Sequence, residues 1–159
     1  MGWVSLSLRK QTLRAEINAK ELRDIQLSRE IRAIHRNLSY DQSVYNKDKK
    51  RELAAAKEGY LELRANKPER SDDPNDTAYS DWYLEYQDAQ ADYQEAKVEI
   101  NEYYDDIMAE IEEEASEREA QLQEEQTQLE AQLEAMRAEF DSVKEQISAD
   151  IQSSTPKFS

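Results

Sequence analysis

Between Tyr79 and Ile107, the residues Tyr79, Trp82, Tyr86, Ala89, Tyr93, Ala96, Ile100, Tyr103 and Ile107 recur at spacings of three and four without a miss. Side chains at this spacing share one narrow face of an α-helix, and covering that face takes a second helix. Four heptads of unbroken seam therefore predict a coiled coil and not a compact globule. The breakers agree: two Gly and three Pro in 159 residues leave too few turn formers for many short elements. Glu, Gln, Ala, Leu, Lys and Arg fill the intervals, and all are strong helix formers. With 36% charged residues and a mean hydropathy of −1.04, composition alone would also fit disorder. The periodicity decides for helix.

Charge indicates how the helices pair. Residues 1–70 hold 16 Lys+Arg and 10 Asp+Glu, whereas residues 71–159 hold 5 and 26. The boundary falls in the one clear interior loop signal, Asn66-Lys67-Pro68 through Asp72-Asp73-Pro74-Asn75-Asp76-Thr77. A basic arm joined by one loop to an acidic arm attracts itself along its length when the chain folds back. The expected fold is all-α, a long antiparallel helical hairpin open to assembly into an oligomeric bundle. Its parts are a basic helical arm over 1–66, an acidic Pro-containing loop over 67–79, an acidic coiled-coil arm over 80–152 and a flexible tail over 153–159.

In the first arm the apolar stripe is Leu6, Leu13, Ile17, Leu27, Ile31, Ile34 and Leu38. Lys20 and Asp24 interrupt it where apolar residues would fit. Leu22 and Ile25 lie off it, which predicts a second contact surface. Ser39-Tyr40-Asp41-Gln42 fits a capping box, so a break is expected near 38–41. In the second arm a new frame of Leu129, Leu133, Met136, Phe140, Val143 and Ile147 follows a polar stretch near 112–121, where the seam changes phase. The end of this arm, Phe140, Val143, Ile147 and Ile151, is expected to meet Trp3, Val4 and Leu6 or a partner protein.

Chemistry finds little purchase. Cys is absent, which removes thiolate nucleophiles, disulfides and Cys-ligated metals, and His35 is the single histidine. Asp73, Asn75, Thr77 and Asp81 stand at positions 1, 3, 5 and 9 of a calcium-loop spacing. Position six, however, is Ala78 and position twelve is Leu84 where Gly and Glu are required. An acidic turn capping the second helix, with Asp76 or Thr77 as N-cap, accounts for the same residues. Carboxylate clusters such as Asp105-Asp106 and Glu112-Glu113-Glu114 lack the histidines of a di-metal bundle site. No catalytic residue, cofactor or metal is expected, and the chain reads as no enzyme.

Among the aromatics, Tyr79, Trp82, Tyr86, Tyr93 and Tyr103 read as seam with Ile100 and Ile107, whereas Tyr83 and Tyr104 fall off it and read as external contacts. Partner binding is thus expected at Tyr83, Tyr104, Leu22, Ile25, Phe140, Val143, Ile147 and Ile151. The basic cluster Lys47, Lys49, Lys50 and Arg51 would suit a phosphate backbone. The acidic second arm competes for those cations and repels nucleic acid, so that partner is disfavoured. No apolar run of about 18 residues and no signal peptide is present, so a cytoplasmic or virion location is expected.

The absence of Cys, the Lys/Glu/Gln-rich helices, the two-armed coiled coil and the Tyr-rich stretch together resemble small helical virion and assembly proteins of tailed bacteriophages. That resemblance implies a non-enzymatic part present in many copies, with protein partners and homo-oligomers. Two other readings stand beside it. One is a cytoplasmic adaptor or stalk similar to the coiled-coil hairpins of secretion and flagellar export machines. The other is a nucleic-acid-associated protein using the first arm.

Overall fold

Two helices carry the chain: α1 over Trp3–Ala65 and α2 over Ala78–Ser154. The computed structural model describes residues 2–154, without the side chain of Ser154. The fold is an all-α helical hairpin whose two long helices pack against each other. Contacts cluster into two units, residues 1–35 with 116–159 and residues 36–115. Residues 155–159, most of the expected flexible tail, lie outside the described residues, while Ser153 is still helical.

In the first unit the core is aliphatic. Ile17 and Leu27 of α1 interlock with Leu122, Leu129 and Leu133 of α2, and Ile31, Ile34, Met136 and Phe140 close around them. A second cluster joins Leu6 and Leu13 to Val143, with Phe140 and Ile147 against it. Polar contacts flank this seam in antiparallel order, from the Arg9–Glu139 and Arg23–Glu125 ion pairs to the His35–Glu119 hydrogen bond. Lys20 and Asp24, the two interruptions of the apolar stripe, are used rather than excluded. Lys20 Nζ donates to Gln132 Oε1 at 2.8 Å. Gln126 Nε2 lies 3.0 Å from Asp24 Oδ1 and 2.9 Å from Ser28 Oγ. Partnering of this kind offsets the cost of drawing an amide and a carboxylate part-way out of water.

In the second unit the seam is aromatic and partly buried. Tyr60 of α1 sits between Tyr86 and Tyr93 of α2, with ring centres 6.1 and 5.2 Å away. Tyr45 lies 6.5 Å from Tyr104 in the same sense, and Gln42 Nε2 donates to Glu112 Oε1 at 2.8 Å. The expected break near 38–41 does not occur, and α1 runs unbroken through it. A capping box needs the Gln42 side chain to turn back on Ser39. Instead that side chain reaches across to α2, and no Gly or Pro stops the helix there.

The connection is residues 66–77, so α2 begins two residues before the expected arm. The seam shifts phase at Ile100–Tyr104, ahead of the expected place, and again at Ile111–Ala115, inside the polar stretch near 112–121. In this unit the inward positions run Ala96, Ile100, Tyr104, Ile107, Ile111, Ala115, with two consecutive steps of four on either side of the three-residue step from Tyr104 to Ile107. A straight helix drifts about 20° per heptad. From Tyr79 to Ile100 that drift accumulates to about 60° over three heptads, and a step of four instead of three restores the facing side.

Candidate interaction surfaces

This step of four overturns one pair of sequence assignments. Tyr103, expected in the seam, is 59% exposed, and Tyr104, expected as an external contact, is 5% exposed. The Tyr104 hydroxyl donates to Glu52 Oε1 at 2.9 Å. Desolvation, with help from the Glu52 carboxylate, pushes its phenol up to about 12. Tyr79, Trp82, Tyr86, Tyr93, Ile100 and Ile107 are all partly buried on the same side of α2.

The run Tyr79–Tyr86 forms a stack at the loop end of the second unit. Trp82 stacks on Tyr86 at 5.1 Å, Tyr79 approaches Trp82 at 5.6 Å, and Tyr83 lies parallel to Tyr79 at 6.3 Å. Two cations of the loop cover it: Lys67 stands 6.0 Å from the Tyr79 ring centre and 5.8 Å from that of Trp82, and Arg70 stands 4.8 Å over Tyr79. Arg70 also hydrogen-bonds the Tyr79 hydroxyl, which holds that phenol below its usual value. Tyr83 remains 45% exposed, so one edge of the stack faces solvent.

The acidic loop is organised by its own backbone. Asp73 Oδ1 accepts the Asn75 N–H at 2.9 Å, and Asp76 Oδ1 accepts the Ala78 N–H at 3.1 Å. Thr77 occupies the N-cap, its carbonyl accepting the Asp81 N–H at 2.8 Å and its hydroxyl donating to Asp81 Oδ2 at 3.1 Å. Asp73, Asn75, Thr77 and Asp81 thus act as turn and cap residues. Among the described residues, no group of three or more His, Asp or Glu side chains is arranged to hold a metal ion.

Besides Tyr104, three of the expected partner residues turn inward. Val143 is buried against Leu6 and Leu13, and Phe140 and Ile147 pack on the same cluster. Phe140 also carries Lys10 and Arg14 near its ring, at 5.9 and 5.8 Å. The heptad frame of α2 continues to Ile147, and α1 begins early enough to cover it. Leu22, Ile25 and Ile151 stay about half exposed. Trp3 and Val4, expected to pack with Leu6 against the end of the second arm, are more than half exposed, and sequence reading missed Leu8, Tyr40, Leu84 and Val98, large apolar side chains exposed to the same degree. Val4 and Leu8 carried a readable signal, because they continue the spacing of Leu22 and Ile25 backward along α1.

Of the basic cluster, Lys49 approaches Asp105 at 4.0 Å and Arg51 approaches Asp48 at 3.9 Å. The acid-rich helix thus already contacts part of it. Among the described residues no polar or charged side chain is buried, and no helix is long and apolar enough to cross a membrane. No family model, curated protein or solved structure matches this chain.

Proposed function

We propose that this chain is a non-enzymatic architectural protein, a coiled-coil hairpin acting as a spacer or clamp between larger proteins in a multi-copy assembly. The virion of a tailed phage, or its assembly line, is the setting that the sequence resemblance suggests. One observation carries the reading: the two helices cover each other's seams, yet apolar side chains remain outside them in both units, including Leu22 and Ile25 in one and Tyr83 and Leu84 in the other. A hairpin that needed only to stay dissolved would carry charge at those positions. The polar groups support the reading, since Lys20, Arg23, Gln42 and Gln126 near the seam are engaged in helix-to-helix hydrogen bonds.

Size-exclusion chromatography with light scattering, on the full chain at low and moderate salt, tests this. A defined oligomer is the expected result. A monomer at all concentrations removes the multi-copy reading and leaves the adaptor or stalk reading. Retention on DNA that falls steeply with salt assigns the basic arm to nucleic acid instead.

A further inference from the structure

On α1, Val4, Leu8, Gln11, Ala15, Asn18, Leu22 and Ile25 recur at spacings of four and three, out of phase with the buried seam. All seven are exposed, the four large apolar ones by half or more. The adjoining row Ser5, Thr12, Ala19 and Gln26 is uncharged as well, so eleven aligned positions carry no charge in a chain that is 36% charged. The stripe stops at the next heptad position, Arg29. Charged neighbours are drawn the other way by α2. Arg9 pairs with Glu139, Glu21 with Arg137 and Arg23 with Glu125, and Arg14 lies over Phe140.

The order of side chains adds a second constraint. Two branched apolar residues, an amide, an alanine, an amide and two branched apolar residues read alike from either end. Parallel pairing places no demand on order, because any stretch is in register with itself. Antiparallel pairing about a two-fold axis sets each residue against its counterpart from the other end, and this order makes those counterparts alike. We infer that the stripe is a second coiled-coil seam that binds the same stripe of a second copy of this chain, antiparallel about a two-fold axis at Ala15. Val4 and Leu8 of one copy then lie over Ile25 and Leu22 of the other. Gln11 faces Asn18, so the two amides satisfy each other, and the small Ala15 side chains let the backbones close at the axis.

Charge selects this occupant. Over 116–154, α2 carries ten carboxylates and three cations, so copies that approached through α2 would repel. Approach through the stripe sets neutral surface on neutral surface and keeps both acidic helices on the far sides. The stripe spans about 33 Å of helix. Such a contact belongs with the smaller interfaces, below about 1,200 Å² in total, so the pairing is reversible and concentration-dependent.

The inference rests on the multi-copy reading and names its interface. Sedimentation equilibrium of the full chain from micromolar to millimolar concentration tests it, with circular dichroism as the control for folding. The expected result is a monomer–dimer equilibrium that Leu22→Lys weakens at least about tenfold without loss of helix content or melting temperature. The double variant Leu8→Glu/Leu22→Lys separates the orientations, because it places opposite charges across an antiparallel dimer and like charges across a parallel one. Recovery of the dimer in that variant supports the inference, and continued dissociation overturns it. Self-association that ignores Leu22→Lys also overturns it but leaves the multi-copy reading standing. A strict monomer throughout ends both.

Discussion

The indole Nε1 of Trp82 donates to the main-chain carbonyl of Leu63 at 2.6 Å. Leu63 lies in the last turn of α1, where carbonyls lack helical partners. The first turn of α2 thereby caps the end of α1, and the indole lies over Tyr86 in the same act. Trp82→Phe keeps an aromatic ring but orphans this carbonyl. We expect a loss of about 1 kcal/mol in urea unfolding, and a larger loss for Trp82→Ala, which also vacates the stack.

Tyr104 gives an alkaline signature. Its phenol is pushed up to about 12 in the fold, against about 10 in an unfolded chain. The fold favours the neutral form, so this contribution is fully present below pH 10. It is lost as pH rises through the window between those values. Helix melting followed from pH 8 upward should show a steeper alkaline decline in the parent chain than in Tyr104→Phe. Parallel curves would separate Tyr104 from the decline.

Cavity formation distinguishes seam from surface. Leu27 is fully buried, so Leu27→Ala should cost about 2–5 kcal/mol in thermal or urea unfolding. Tyr103→Ser should leave the midpoint almost unchanged, since that ring is mostly in water. Equal losses from the two substitutions would place Tyr103 back in the seam.

The contact of Gln126 with Asp24 and Ser28 should set register more than stability. Gln126→Leu strands the Asp24 carboxylate beside apolar neighbours and should cost about 1–3 kcal/mol. Adding Asp24→Leu should recover that loss while removing the part-buried polar pairing that a slip of a heptad would break. Distances between spin labels at exposed positions, one on each helix, should be single in the parent and broadened in the double variant. A single sharp distance in both would assign the register to the apolar layers alone.

The hairpin was legible in the sequence because spacing, scarce breakers and a sign change of charge all point the same way. The aliphatic stripe from Leu6 to Leu38 reads directly from the 3.6-residue period. Tyr103 and Tyr104 show where such reading stops. A strict heptad count assigns Tyr103, yet helical drift over three repeats makes the next inward residue Tyr104, and adjacent tyrosines give no compositional hint. Ser39 to Gln42 failed for a different reason: the capping pattern is local, and a cross-helix bond from Gln42 to Glu112 supersedes it. Phe140, Val143 and Ile147 were legible as a seam, but whether that seam closes within the chain depends on how far α1 reaches.

The bond between Trp82 and Leu63 spans 19 residues of chain, whereas that between Arg9 and Glu139 spans 130. Bringing the second pair together from an open chain costs about 2 kcal/mol more in closure entropy. Folding therefore has a direction: pairing starts beside the acidic loop and travels toward the chain ends, each rung shortening the loop left for the next. The terminal rungs are last to form, and during refolding the amide of Leu63 should gain protection before that of Leu13.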